Sequence, residues 1–324
     1  ILAAADDRGN RICASTIVAG RLQGSGAPWQ TRAMHHPLFI VDVFAEEKYA
    51  GNQLAVVLGG RDLRSDTMQR IARETNFSET TFVLDDDERA GVWETRIFTP
   101  TGEIPFAGHP TLGTAWVIRH HVARHAPERL VLGLGIGPTP VRFADDDHGG
   151  IAWLSAGPPE FGATYAAEEI ADVVGLDPHD IDSASPIEAV SLGVPFTFVP
   201  VRGLEAMARA RFRVDRFEAR AGAGFAPCLF LFCRDAVDAD NDVHARMFAT
   251  PFGITEDPAT GSANACLGAY LVRHGLFGAG PIEVRVEQGL EMGRPSLLRV
   301  RARPDSAKVE VGGRVIATAR GELL

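Results

Sequence analysis

The sequence predicts a strand-dominated α+β fold made of two similar halves. Short β-rich runs such as LFIVDVF, LAVVLGG and TTFVLDD alternate with only a few helical segments. The chain also contains a long-range echo, EIPFAGHPTLGTAWVI in the first half and EDPATGSANACLGAYLV in the second. Both segments put an acid, a proline and a Gly-plus-polar pair ahead of a helix rich in small residues, which other backbone can approach closely. These observations indicate two related halves, each with strands packed around a small-residue helix.

The first 33 residues do not resemble the rest of the chain. They contain no continuous apolar core and no clear periodicity, whereas HPLFIVDVFA just after Met34 has the pattern of a strand. We therefore expect residues 1–33 to be a tag, a readthrough product or a disordered extension, with a targeting peptide as the less favoured alternative. The folded protein is expected to begin near Met34.

Helical spacing and breaker residues divide the remainder. The segments DLRSDTMQRIARETN and GHPTLGTAWVIRHHV carry apolar residues near helical spacing and predict the two helices of the first half. A Gly-Pro-Pro break at 157–159 precedes a new series of β-rich runs and a last helix in TGSANACLGAYLVRHG. We therefore predict an N-terminal domain over 34–157 and a C-terminal domain over 158–311. The last strand, about 312–324, can return to the N-terminal domain.

Composition restricts the partners of the protein. The chain has 324 residues, of which 45% are hydrophobic, and a formal net charge of -10 without a dense Lys/Arg run, which argues against nucleic acid as a partner. No apolar run approaches the roughly 20 residues needed to span a bilayer. The four cysteines have neither metal-site spacing nor the density of a disulfide scaffold, so we expect free thiols, no metal and a cytoplasmic location. They are Cys13, Cys228, Cys233 and Cys266.

The two echoed helix starts predict an anion site. If the halves face one another, two helix N-termini meet at the walls of a cleft. Each N-terminus has unpaired N–H donors and a partial positive charge. Together they favour a carboxylate or a similar anion.

Four separated motifs resemble the PhzF family of phenazine biosynthesis-like isomerases. They are VDVFAEEKYAGNQLAVV, MQRIARETNFSETTFVL, IFTPTGEIPFAGHPTLGTA and ARMFATPFGITEDPATGSANACLGAYL. The resemblance covers Met34 to Leu324 and is specific, because the motifs agree in order and spacing. It implies a fold similar to that of diaminopimelate epimerase, with two pseudo-symmetric domains that each wrap a sheet around a central helix and hold the active site between them. It also implies a homodimer that uses no cofactor.

The resemblance assigns three acid–base residues: Glu79 in NFSETTF, His109 in AGHPT and Asp257 in EDPATGSA. The chemistry of a carboxylate suits this role independently of the resemblance. A carboxylate takes a proton from an activated carbon near pH 7 only if its pKa is raised, and burial between apolar neighbours such as Phe77 and Phe82 would raise it. Glu79 is therefore the predicted proton shuttle.

The glycine-polar pairs are the predicted substrate-binding residues. The resemblance implies that Gly108, Gly261 and Ser262 hold the substrate carboxylate through backbone or hydroxyl groups. Epimerases of this fold use a cysteine beside each pair, whereas this sequence has Ala107 and Thr260 there. A racemase that needs two facing thiolates is therefore disfavoured.

The predicted activity is a cofactor-independent isomerisation that moves a proton between carbons of a small carboxylated substrate. The substrate class, an acid that resembles dihydro-hydroxyanthranilate or derives from an amino acid, comes from the resemblance. Two alternatives stay open. One is an amino-acid epimerase that uses Glu79 and Asp257 in place of thiols, and the other is a non-catalytic protein that binds small acids.

Overall fold

Strands dominate the structure. The computed structural model describes residues 36–84, 91–145, 150–220, 226, 228–250 and 254–324. Within these residues the chain forms eighteen β-strands and six α-helices, so the predicted strand-dominated α+β class is confirmed. Across the same ranges, no helix is both long and apolar enough to cross a membrane. The predicted extension over residues 1–33, including Cys13, lies outside the described residues.

The first half contains eight strands and two α-helices in its described part. The strands are β1 (His36–Val43), β2 (Asn52–Leu58), β3 (Glu79–Val83), β4 (Trp93–Phe98), β5 (Glu103–Ile104), β6 (Arg129–Leu134), β7 (Gly137–Ala144) and β8 (Ile151–Ala156). The helices are α1 (Ser65–Thr75) and α2 (Gly108–Val117), with a 3-10 turn at Gly60–Asp62 and a π-helical turn at Ile118–Val122 after α2. Both α-helices lie within the segments that the sequence predicts.

The second half repeats this plan. Its strands are β9 (Glu160–Tyr165), β10 (Ile187–Ser191), β11 (Pro195–Pro200), β12 (Cys228–Cys233), β13 (Val243–Ala249), β14 (Ile254–Asp257), β15 (Ile282–Gln288), β16 (Ser296–Ala302), β17 (Val309–Gly313) and β18 (Val315–Leu323). The helices are α3 (Ala167–Ala171), α4 (Gly203–Arg209), α5 (Val214–Ala219) and α6 (Gly261–Arg273), with 3-10 turns at Pro178–Asp180 and Leu290–Met292.

The strand pairing of the first half recurs in the second. In the first half, β1 pairs antiparallel with β2, β2 parallel with β3, β3 antiparallel with β4 and β4 parallel with β6. In the second half, β10, β11, β12, β13 and β15 pair in the same sequence of directions. The registers correspond as well, since Leu54 lies opposite Glu79 just as Phe196 lies opposite Cys228. The two halves are therefore related by an internal pseudo-symmetry.

Two strand pairings join the halves. β8 pairs with β17, the last strand of the repeated plan. β18 follows β17 in the second half but pairs with β1 of the first, whereas β9 pairs with β10 within the second half. The Gly-Pro-Pro break at 157–159 lies between β8 and β9. The domain boundary placed there stays a prediction.

Each half has one central helix that is buried almost all round. α2 packs against β1, β2 and β3, and α6 packs against β15, β16 and β17. Small residues permit this close packing. A Cβ on Gly113 would lie 2.6 Å from Leu54 Cδ2, and a Cβ on Gly268 would lie 2.6 Å from Val300 Cγ1. The small-residue composition of both helices thus has a direct steric cause.

Candidate active site

The N-termini of α2 and α6 lie against each other. A Cβ on Gly108 would lie 3.3 Å from the backbone nitrogen of Ser262 and 3.5 Å from Gly261 Cα. Neither N-cap residue, Ala107 or Thr260, makes a side-chain capping hydrogen bond to its helix. Helix N–H groups that no side chain caps are suited to bind an anion. The structure thus brings together Gly108, Gly261 and Ser262, which the sequence analysis predicts as substrate-binding residues.

Glu79 reaches this junction because it is the first residue of β3. It lies on the same face of the strand as Thr81, whose hydroxyl is 2.7 Å from the hydroxyl of Thr114 in α2. At the beginning of α2, Glu79 Oε2 is 3.2 Å from Nε2 of His109. Both side chains are buried, and apart from their contact with each other neither of these two atoms has a hydrogen-bond partner among the described residues. A buried polar atom without a partner is costly and marks a place where a ligand can bind.

The environment of Glu79 favours its protonated form. Burial, and then the negative charge of Asp257, raise the pKa of Glu79 to about 8. The raised pKa agrees with the sequence analysis, but one of the predicted neighbours is wrong. Phe82 lies on the opposite face of β3, where it packs with Met68 and Phe98.

His109 is neutral. Burial lowers its pKa to about 3, opposed by a hydrogen bond with the backbone of Gln53. Because that bond favours the charged imidazolium, His109 donates it to the carbonyl oxygen, and because Nε2 has no partner, the donor is Nδ1. The lone pair of Nε2 is then directed to the Glu79 side, where a protonated carboxyl can donate to it.

Asp257 enters the site from the second half. It is the last residue of β14, four positions before α6. Its Oδ1 accepts a hydrogen bond from Asn52 Nδ2 at 2.9 Å, and its Oδ2 accepts one from Thr260 Oγ1 at 2.5 Å. Burial raises the pKa of Asp257 to about 6, although both hydrogen bonds act to lower it. Donors to both oxygens explain why Asp257 ionises more readily than Glu79.

A buried amide network holds the segment between Asp257 and α6. Gln288 Nε2 donates to the backbone oxygen of Asp257 at 2.8 Å and to Thr260 Oγ1 at 3.2 Å. Gln288 Oε1 accepts from Asn264 Nδ2 at 2.9 Å. The sequence analysis does not assign Asn52, Thr260 or Gln288 to the site. Asn52 lies within the GNQLAVV motif and could have been found there, whereas Gln288 has no local signal.

A cavity of about 430 Å³ lies elsewhere, beside β4 and β5. Its described lining includes the ion pair between Arg96 and Glu103 but none of the candidate residues. That ion pair is fully hydrogen bonded, at 2.7 and 2.6 Å. The helix junction is the candidate active site, because the buried groups with perturbed pKa values lie there.

Two related halves, with a central helix in each, define the epimerase-like class of folds. At the level of the fold alone, the structure is similar to a probable proline racemase from Agrobacterium radiobacter K84, with a TM-score of 0.58 and 10% identity over 89% of this chain and 93% of the other. The chain belongs to the phenazine biosynthesis-like protein family, PhzC-PhzF, whose profile matches residues 41–321.

Individual relatives agree with this family. The trans-2,3-dihydro-3-hydroxyanthranilate isomerase of Pseudomonas chlororaphis is 35% identical over 303 residues, which are 90% of this chain and 100% of the relative. The crystal structure of a PhzF family protein from Bacillus anthracis has a TM-score of 0.81 and 26% identity over 90% of this chain and 99% of the other. The predicted family and the epimerase-like fold are confirmed, and the relatives' names agree with the predicted isomerase.

Proposed function

We propose that the protein is an isomerase that transfers a proton between carbons of a small carboxylated substrate, with its own side chains as acid and base. One observation carries the proposal. Two buried carboxyl groups with unequal raised pKa values, Glu79 and Asp257, come from opposite halves and flank the joined N-termini of α2 and α6. Titratable groups whose environments separate their pKa values are suited to opposite acid and base roles.

The pKa values assign the starting roles. At pH 7 Asp257, with a pKa of about 6, is mostly ionised and accepts a proton, whereas Glu79, with a pKa of about 8, is mostly protonated and donates one. Asp257 then removes a proton from one carbon while Glu79 delivers its own proton to another. The step leaves Asp257 protonated and Glu79 ionised, so the reverse reaction uses Glu79 as the base. The predicted shuttle role of Glu79 thus begins with donation.

In this proposal, His109 orients the proton of Glu79. Its neutral ring presents Nε2 at 3.2 Å from Glu79 Oε2, which directs the carboxyl proton. The low pKa of His109 makes it a poor base, so it holds the proton in place without removing it. A substrate that displaces this contact receives the proton instead.

The substrate class follows from the helix junction and from the relatives. The uncapped N–H groups beside Gly108 and Gly261 are suited to hold a carboxylate. The named relatives act on trans-2,3-dihydro-3-hydroxyanthranilate, an acid whose ring double bonds make neighbouring C–H groups acidic. We therefore propose cyclic or amino-acid-derived unsaturated acids as substrates.

Deuterium uptake from D₂O tests the proposal. Wild-type protein should introduce deuterium into such an acid, as followed by mass spectrometry. Glu79→Gln and Asp257→Asn should keep ligand affinity within about tenfold, roughly 1.4 kcal/mol, and lose about 10²–10⁴ in exchange rate. Glu94→Gln, which changes an exposed carboxyl in the same half, should exchange like the wild type.

Three other results would contradict the proposal in different ways. Exchange at the wild-type rate by both Glu79→Gln and Asp257→Asn would show that the two carboxyls take no part in the reaction. Binding of the acid without any exchange by the wild type would favour the small-acid binding protein. Exchange with a change of optical rotation and no shift of a double bond would favour the epimerase.

A further inference from the structure

The internal pseudo-symmetry provides a counterpart for Glu79. Glu79 is the first residue of β3 and lies opposite Leu54, while Cys228 is the first residue of β12 and lies opposite the equivalent Phe196. The next residues also correspond, since Thr80 pairs with Phe98 and Leu229 pairs with Phe248. Cys228 therefore occupies in the second half the position that Glu79 occupies in the first.

The packing of β12 locates the Cys228 side chain. Side chains alternate along a strand, so Cys228 shares a face with Phe232, whose ring centroid is 5.4 Å from that of Tyr270 in α6. β13 and β15 are parallel, and α6 lies between them in the chain, so α6 runs antiparallel to both. β12 is also antiparallel to β13, so β12 and α6 run in the same direction. Four residues back along the strand span about 13 Å, which equals about nine residues of helix. This distance places Cys228 level with Gly261.

The first half confirms that this reasoning holds. There Thr81 contacts Thr114, and two residues back along β3 Glu79 lies beside His109, five residues back along α2. Cys228 is likewise within the electrostatic influence of Asp257. Burial, and then the charge of Asp257, raise the pKa of Cys228 to about 11, so its thiol is neutral.

We propose that Cys228 lines the substrate site as a specificity-determining residue, on the second-half side of the helix junction whose first-half side holds Glu79. This inference rests on the proposed function. Apart from each other, the buried Glu79 Oε2 and His109 Nε2 have no hydrogen-bond partner among the described residues, which indicates independently that a ligand can bind at this junction. A neutral thiol is small and polarisable, so it suits contact with the unsaturated carbon skeleton of an acid whose carboxylate lies at the helix N-termini. A larger side chain at position 228 closes that space.

Ligand protection of the thiol tests the proposal in the wild-type protein. Anthranilate, a stable acid with an unsaturated ring, serves as the probe, and iodoacetamide alkylation of each cysteine is followed by mass spectrometry. Cys233 and Cys266 are internal controls, because both are buried in the same half and Cys233 lies on the other face of β12. We expect saturating anthranilate to slow alkylation of Cys228 at least tenfold more than that of the two control thiols. Equal slowing of all three would show general stabilisation and overturn the inference.

A pair of substitutions at the same position gives a second measure. Cys228→Ser preserves side-chain size and should bind anthranilate within about threefold of the wild type, whereas Cys228→Leu should weaken binding at least tenfold. Melting temperatures report whether each variant folds. A folded Cys228→Leu protein with wild-type affinity would overturn the inference.

Failure of this inference and failure of the proposed function give different results. Selective protection of Cys228 without deuterium exchange by the wild type supports the placement of Cys228 and contradicts the isomerase. Exchange without selective protection supports the isomerase and removes Cys228 from the site.

Discussion

Replacing Asn52 with leucine tests how the protein sets the ionisation of Asp257. Asn52 lies at the beginning of β2 in the first half and is buried. Its Nδ2 donates at 2.9 Å to Asp257 Oδ1 and at 3.0 Å to the backbone oxygen of Ala259, both in the second half. Leucine has a similar size but no donor, so Asn52→Leu removes one of the two hydrogen bonds that favour ionised Asp257.

The expected shift follows from the strength of that bond. A hydrogen bond to a charged group contributes about 1.5–3 kcal/mol, and about 1.36 kcal/mol corresponds to one pKa unit. The pKa of Asp257, about 6 in the wild type, should therefore rise by about one to two units. At pH 7 the ionised fraction falls from about nine-tenths to between about a half and a tenth, so exchange slows about two- to tenfold. At pH 8.5 the loss should be about twofold or less.

The assay is the pH dependence of the deuterium exchange rate. On the acidic side of this profile, the pH at which the rate falls should be higher in Asn52→Leu than in the wild type. The matched control is Tyr270→Phe, which removes the part-buried hydrogen bond from the Tyr270 hydroxyl to the backbone oxygen of Pro186. Tyr270 lies nine residues along α6 from Gly261, about 13 Å, and so away from Asp257. The control should melt at a lower temperature without a change in the pH at which the rate falls. An unchanged pH of this fall in a folded Asn52→Leu protein would refute the account of how Asp257 ionises.

Two further predictions concern stability. His244 Nδ1 lies 2.7 Å from Glu287 Oε1, and His244 Nε2 lies 3.0 Å from Glu291 Oε1. Burial lowers the pKa of His244, but the two carboxylates raise it more, so its pKa in the folded protein is above 6.5. The resulting stabilisation is complete below about pH 6.5 and is lost as the pH rises through the pKa of His244 in the folded protein. Urea unfolding should therefore show that His244→Gln lowers the free energy of unfolding more at pH 5 than at pH 9. An equal loss at both pH values would exclude this linkage. Gly268→Ala should lose about 1–3 kcal/mol, because its Cβ would meet Val300 Cγ1 at 2.6 Å. Val300→Ala should relieve part of that loss in the double variant, and strict additivity would argue against the steric cause.

Local patterns predict the central helices, and the sequence analysis allows the last strand, about 312–324, to return to the N-terminal domain, but neither its partner strand nor its register is readable from the local pattern. α2 and α6 begin at Gly108 and Gly261, as the echoed Gly-plus-polar pairs indicate. The pairing of β18 with β1 joins residues from opposite ends of the described chain, for example Val315 with Val43. Such pairing depends on register and long-range packing, for which a single strand pattern contains no signal.

The site shows the same limit. Glu79, His109 and Asp257 lie in compact motifs, so their residue types and neighbours are readable from the sequence. One partner of the Asp257 carboxylate, Asn52, is 205 residues away in the chain, and the hydrogen bond from Gln288 to the backbone of Asp257 spans 31 residues. The positions of Asn52 and Gln288 in the candidate site follow only from the strand register that places β2, β14 and β15 beside the beginning of α6.

The pseudo-symmetry explains how one skeleton can place an acid on one side of a substrate and a base on the other. Equivalent backbone positions carry different side chains. Glu79 corresponds to Cys228, and His109 corresponds to Ser262. Asp257, which pairs with Met247, corresponds to Ile104, which pairs with Ile97. If both halves carried the same acid–base groups, the two sides would have the same affinity for a proton. Because each half instead contributes one carboxyl from a different position, with its own set of donors, the two pKa values separate. In the proposed reaction, a proton is taken on one side of a substrate and delivered on the other, and we expect the matched helix starts to hold its carboxylate between them.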